Sequence, residues 1–132
     1  MMILKRFSFF GTLLLLLFLS SCNNDTDRQI EDLQALIDFQ NEIVALANTS
    51  VCGDNINFEC RAAALGSNSC GGPLSFVLYS TSIDTDAIEE MIVEYNQQQL
   101  EYNQRYDVIV SCIAIPTPGF IGCVEGQCAI QG

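Results

Sequence analysis

Apolar residues recur every three or four positions over two long segments of the chain, which is the spacing of an amphipathic helix. In the first segment, residues 27–48, the recurring residues are mainly leucine and isoleucine. The second segment can be capped by Asp84 or Asp86 and keeps the helical spacing to about Arg105. The pattern therefore predicts two long amphipathic helices.

The second helical segment contains a tandem repeat. The sequence Glu-Tyr-Asn-Gln occurs at residues 94–97 and again at residues 101–104, an offset of seven residues that is typical of a helix packed along another helix. We expect the two tyrosines, Tyr95 and Tyr102, to lie in the core. The alternative is that they and the amides beside them form a partner face for a sugar or a protein.

The chain between the helices is short and interrupted by turn residues. Residues 60–65 can form a short strand or a helical turn, because their three alanines suit either structure. Gly71 and Gly72 precede Pro73, a residue favoured in the first turn of a helix. The pattern predicts a short helix from Pro73 to Tyr79.

After Asp107 the composition shifts toward strand-forming residues. The largely apolar run at residues 108–115 is suited to a strand that is buried on both faces. Turn sequences follow at residues 116–119 and 125–126, which predicts further antiparallel strands. The predicted fold class is α+β, with two packed long helices followed by a small disulfide-linked antiparallel β-meander at the C-terminus.

The start of the chain has its own pattern. Lys5 and Arg6 precede an uncharged run of thirteen residues, 7–19. This run is shorter than the ~20 residues that span a bilayer and fits the core of a signal peptide. Its end, Leu19-Ser20-Ser21-Cys22, resembles the lipobox of bacterial lipoproteins. An ordinary secretory signal, with the cysteine as a bystander, is the alternative.

The lipoprotein resemblance implies cleavage before Cys22, a diacylglyceryl group on its thiol and acylation of the new amine. It divides the chain into a signal peptide at residues 1–21, an acylated cysteine with its tether at residues 22–26, and one domain at residues 27–132. It also implies that the protein is anchored by palmitate-type chains in the bacterial cell envelope, with the outer membrane as the expected site.

Removal of the signal peptide changes the charge. Three arginines remain against all sixteen carboxylates, a formal net charge of −13, and the remaining chain has no lysine, histidine or tryptophan. Such a field repels phosphate backbones and anionic head groups, so no nucleic-acid partner is expected. A basic protein is the partner that this charge favours. The simpler alternative is that the charge keeps a tethered domain soluble.

An even number of cysteines in an exported domain is typical of a disulfide framework. Zinc is disfavoured because histidine and Cys-x-x-Cys spacing are absent from the sequence. The cysteines form two triplets, so complete pairing requires one or three bridges between the triplets. Hairpin pairing leaves open a bridge from Cys123 to either Cys112 or Cys128. The cysteines that follow Cys22 are Cys52, Cys60, Cys70, Cys112, Cys123 and Cys128.

The sequence offers little for catalysis. Nucleophilic serine or cysteine usually needs a neighbouring base such as histidine or lysine, which the chain lacks after its signal peptide. Carboxylates near the second helix start could act as acid and base, and Asp84, Asp86 and Glu89 among them could bind calcium. The more ordinary interpretation is a solvated helix start, where the dipole stabilises negative charge. These carboxylates are Asp84, Asp86, Glu89, Glu90 and Glu94. We expect no catalytic residue, metal or cofactor.

These patterns predict a lipid-anchored, non-catalytic envelope lipoprotein, with Cys22 as the lipidation site. Residues 60–66 and 70–73 also resemble a segment of small secreted cysteine-rich bacterial proteins without assigned activity, which carries no function across. The alternative is a binder or inhibitor of a cationic secreted protein, such as a lysozyme-like hydrolase or toxin. Tyr95 and Tyr102 are then its candidate partner face.

Overall fold

The fold is α+β, as the sequence predicts. A computed structural model of the protein describes residues 24–53, 57–109 and 111–131, so the predicted signal peptide and Cys22 lie outside the described residues. Contacts divide the chain into two units, residues 1–32 and 33–132, and the hydrophobic core belongs to the second. The elements are α1 (Asn24–Asn48), β1 (Cys60–Leu65), β2 (Ser75–Ser80), α2 (Thr85–Arg105), β3 (Phe120–Val124) and β4 (Gln127–Gln131).

Helix α1 begins three residues earlier than predicted, so residues 24–26 are helical. Its buried residues are Leu36, Ile43 and Ala47, whose spacing of seven and four places them on one face. No helix of the described residues combines the length and apolarity needed to cross a membrane.

Helix α2 begins where the sequence predicts. Asp84 is the N-cap, and its Oδ1 accepts a hydrogen bond from Ala87 N at 3.1 Å. The two helices pack through large side chains. The rings of Phe39 and Tyr95 meet edge to face with centroids 6.0 Å apart, and the Tyr95 hydroxyl donates to Gln40 Oε1 at 3.2 Å. The predicted packing of the helices is confirmed.

Strands β1 and β2 form an antiparallel pair, from Cys60 opposite Ser80 to Leu65 opposite Ser75. Residues 60–65 are therefore a strand, and the helix predicted from Pro73 to Tyr79 is wrong. Phe76, Val77 and Tyr79 of this segment favour strand structure once a partner strand is available. The preceding alanine-rich segment supplies that partner.

Strands β3 and β4 form a hairpin around Glu125 and Gly126, whose φ angles of 52° and 84° match the predicted two-residue turn. The strand predicted at residues 108–115 is wrong. Val110 lies outside the described residues, residues 111–115 form no strand, and Ile109 is 95% exposed. Neither described sheet includes this segment, because one sheet consists of β1 and β2 and the other of β3 and β4. The predicted meander is therefore a single hairpin.

The core lies between the helices and one face of the β1–β2 sheet. Strand side chains alternate between faces, so Cys60 and Arg61 point in opposite directions. Arg61 contacts Glu89 of α2, whereas Cys60 is bonded to Cys128 of β4. The hairpin therefore packs against the sheet face opposite the helices. The buried core residues are Leu36, Ile43, Ala47, Leu65, Val77, Tyr79, Ile88, Ile92, Tyr95 and Tyr102.

Candidate functional site

All six cysteines of the described domain form disulfides, and every bridge joins the two triplets. Cys123 and Cys128 lie directly opposite each other in the hairpin but do not bond to each other. Cys123 is bonded to Cys52, in the loop after α1, and Cys128 is bonded to Cys60 of β1. The bridges left open from Cys123 to Cys112 or Cys128 are therefore wrong. The bridges, with Cα–Cα distances of 5.7, 5.6 and 5.7 Å, are Cys52–Cys123, Cys60–Cys128 and Cys70–Cys112.

Two of the bridges lie side by side. The sulfur atoms of Cys52, Cys60 and Cys128 are all within 4.8 Å of one another, a separation that would suit a metal if the thiols were free. Each of these sulfurs is instead bonded to a cysteine partner. In this oxidised form the cluster offers no thiolate as a metal ligand.

The five candidate carboxylates at the start of α2 lie on the protein surface. Asp84 caps the helix, and Asp86 lies in its first turn, where the helix dipole stabilises a negative charge. Glu94 accepts a hydrogen bond from Gln98 Nε2 at 3.0 Å. Glu90 is exposed on the same helix. These positions support the interpretation of a solvated helix start.

Glu89 connects α2 to the β1–β2 sheet through two hydrogen bonds. Its Oε1 accepts hydrogen bonds from the Tyr79 hydroxyl at 2.9 Å and from Arg61 Nη1 at 3.2 Å. Burial, with a smaller contribution from Glu89, raises the pKa of Tyr79 to about 12. Arg61 lies in β1, Tyr79 in β2 and Glu89 in α2, so these two hydrogen bonds link the three elements.

Tyr95 and Tyr102 are only 3% and 9% exposed, so they pack in the core and do not form a partner face. Burial raises the pKa of Tyr95. The Tyr102 ring packs against Tyr106 with centroids 4.9 Å apart. The expected core position is therefore observed.

The asparagines of the tandem repeat have a role that sequence reasoning missed. Asn96 Oδ1 accepts a hydrogen bond from Gly66 N at 2.6 Å, and its Nδ2 donates to Ala64 O at 3.0 Å. Asn103 Nδ2 donates to Ser67 O at 2.9 Å. The repeat thus binds the backbone that leaves β1. Asparagine at the same place in both copies is the signal that could have found it.

The described surface is strongly acidic. Within residues 33–131, both arginines contact a neighbouring side chain. Arg61 pairs with Glu89, and the Arg105 guanidinium lies 6.0 Å from the centre of the Tyr106 ring. Most carboxylates are exposed and therefore add to the field around the molecule. The exposed carboxylates of residues 33–131 are Asp38, Glu42, Glu59, Asp84, Asp86, Glu89, Glu90, Glu94, Glu101, Asp107 and Glu125.

A cleft of about 310 Å³ lies beside β2, between α1 and β4. Its walls carry no charged side chain. The lining residues are Gln40, Val44, Asn48, Leu65, Ser75, Phe76, Val77, Leu78, Gln127 and Cys128. With Tyr95 and Tyr102 buried, this uncharged cleft is a candidate partner site. No protein-family model matches the chain, and neither a curated protein nor a solved structure does.

Proposed function

We propose that the protein is a lipid-anchored lipoprotein of the bacterial cell envelope, attached through Cys22. The observation that carries the proposal is the set of three disulfides, because stable disulfides are typical of oxidising compartments outside the cytoplasm. The six bridged cysteines pair among themselves, so none of them is a partner for Cys22. Together with the lipobox, this pairing supports export and acylation. Two or three acyl chains at one site hold a protein firmly on a membrane.

The domain that follows the anchor is proposed to be non-catalytic. The chain after the signal peptide has no histidine or lysine to activate a nucleophile. The carboxylates that could serve as acid and base are exposed, and Asp84 and Glu89 already serve as a helix cap and an ion-pair partner. These features favour a binding or structural role, with the outer membrane as the proposed location.

Metabolic labelling tests the anchor. The full-length chain is expressed in a bacterial host with labelled palmitate, as wild type, as Cys22→Ala and as the neighbouring control Asn24→Ala. We expect wild type and Asn24→Ala to be labelled and retained in the membrane fraction, and Cys22→Ala to lose both properties. Palmitate labelling that survives in Cys22→Ala would contradict the proposal.

The second candidate function is that of a binder or inhibitor of a cationic secreted protein. The unneutralised carboxylates of the described surface favour it, since they raise encounter rates with cations and are screened beyond ~8 Å at physiological ionic strength. Binding to a basic lysozyme-type hydrolase should weaken steeply between low and high salt. Binding that is independent of salt, or equal binding to a neutral protein of the same size, would exclude this function.

A further inference from the structure

Strand β2 has one edge paired with β1 and a second edge that faces the cleft. Thr81 N donates to Glu59 O at 2.9 Å, so alternation in the antiparallel ladder directs the peptide groups of Phe76 and Leu78 to the second edge. Ser80 N, at the same edge, donates to Ser50 Oγ at 3.0 Å. Among the described residues, the outward N–H and C=O groups of Phe76 and Leu78 have no hydrogen-bond partner.

The surroundings of this edge define a slot for an extended chain. Val44 of α1 and Gln127 of β4 line the slot beside this edge. Ser50 occupies the edge at the Ser80 end, where Gln127 Nε2 also donates to Ser50 O at 3.1 Å. The slot is therefore closed at one end, and the two unpaired peptide units lie inside it. An unpaired strand edge is a template for another strand.

The helix face beside the slot is apolar and exposed. Leu33, Ile37 and Val44 lie on one face of α1, at spacings of four and seven, and all three are exposed. The exposed carboxylates Asp38 and Glu42 lie on the other side of the helix. An uncharged strip with an open strand edge is thus set in a surface that is otherwise rich in carboxylates.

We propose that this slot, the outer edge of β2 between α1 and β4, binds an extended segment of a basic partner protein by strand addition. The inference rests on the second candidate function and names its site. Main-chain hydrogen bonds to Phe76 and Leu78 supply affinity, and alternate apolar side chains of the segment pack on Val44. Charge complementarity favours a basic partner, because the exposed carboxylates of residues 33–131 surround the domain with a negative field.

The test uses a fluorescent probe peptide, Lys-Val-Thr-Val-Thr-Lys with blocked termini, and the full-length protein purified in non-ionic detergent. Binding is measured by anisotropy for wild type, Val44→Lys and Ala45→Lys. Both variants change the net charge equally, but Ala45 is exposed on the side of α1 away from the slot. Because Val44 lines the slot and Ala45 does not, we expect Val44→Lys to weaken binding at least about tenfold and Ala45→Lys to have a small effect. A tenfold loss corresponds to ~1.4 kcal/mol.

A second probe tests the backbone contacts without changing the protein. N-methylation of alternate residues in the peptide removes the N–H groups that would bond to β2, and it should also weaken binding at least about tenfold, because such bonds supply most of the affinity in strand addition. Equal effects of Val44→Lys and Ala45→Lys, or unchanged binding of the methylated probe, would overturn the proposed site.

Two further outcomes separate this inference from the function on which it rests. If the peptide binds with the expected Val44→Lys sensitivity but without salt dependence, the slot is retained and the cationic-partner function fails. If basic proteins bind in a salt-dependent way that Val44→Lys and Ala45→Lys reduce equally, that function is retained and the slot is wrong. A homodimer in sedimentation that Val44→Lys dissociates would show that the edge pairs with a second copy, which also overturns the proposal.

Discussion

Replacing Tyr95 with alanine should destabilise the domain by about 3–5 kcal/mol, the range for truncating a buried aromatic side chain. Tyr95 is among the most buried residues of α2, and its ring meets Phe39 edge to face between the two helices. Truncation leaves a cavity at this contact. The hydroxyl bond to Gln40 Oε1 accounts for about 0.5–1.5 kcal/mol of the loss.

Urea unfolding followed by circular dichroism, with the disulfides intact, measures this change. Tyr95→Phe keeps the ring and should lose only about 1 kcal/mol, the contribution of its hydrogen bond. Val93→Ala, on the same helix but 68% exposed, is the matched control and should change stability by less than about 0.5 kcal/mol. A Tyr95→Ala loss below about 1 kcal/mol would refute the core position and restore the partner-face hypothesis.

Three other expectations concern the bridges, the repeat and pH. The double variant Cys70→Ser, Cys112→Ser opens a bridge with a sequence separation of 42 and should lose at most about 4 kcal/mol in urea unfolding, since the other bridges still restrict the unfolded chain. Asn96→Ala should cost about 1–3 kcal/mol and speed hydrogen exchange after β1, because it leaves two backbone groups without partners. Because folding raises the Tyr79 pKa from 10 to about 12, the folded state favours the neutral phenol. The free energy of unfolding should therefore be unaffected by this group below pH 10 and should fall by about 3 kcal/mol as the pH rises to 12. Tyr79→Phe should remove this pH dependence.

Local signals account for the parts of the fold that the sequence predicts correctly. The helices follow from apolar spacing, the start of α2 from the Asp84 cap, and the last turn from Glu125 and Gly126. Each of these depends on residues close together in the chain, where side-chain and backbone preferences act directly.

Non-local pairing explains the errors. Phe76 and Tyr79 lie in a short apolar run whose periodicity does not distinguish a strand from a helix, and only pairing with β1 decides the matter. Ile113 lies in a run with the composition of a buried strand, but this run belongs to neither described sheet and Ile113 is exposed. Bridge connectivity has the same character, since Cys123 and Cys128 bond across the layers to Cys52 and Cys60 instead of within the hairpin.

The candidate site was predictable only in its general electrostatic character. The acidic composition predicts a preference for basic partners. The position of the slot depends on the β1–β2 register, which fixes Phe76 and Leu78 as the residues that present peptide groups at the open edge. The heptad spacing of Tyr95 and Tyr102 is also compatible with a partner face, but both residues pack in the core.

We propose that the protein is an acylated envelope lipoprotein, and its six other cysteines are all bridged. The most direct test of this proposal is mass spectrometry of the non-reduced chain isolated from the membrane fraction of an expressing bacterium. We expect a mature chain that begins at Cys22 with a diacylglyceryl mass increment, and peptides linked as Cys52–Cys123, Cys60–Cys128 and Cys70–Cys112. An unmodified Cys22, an N-terminus elsewhere, or free thiols among the six would contradict the account.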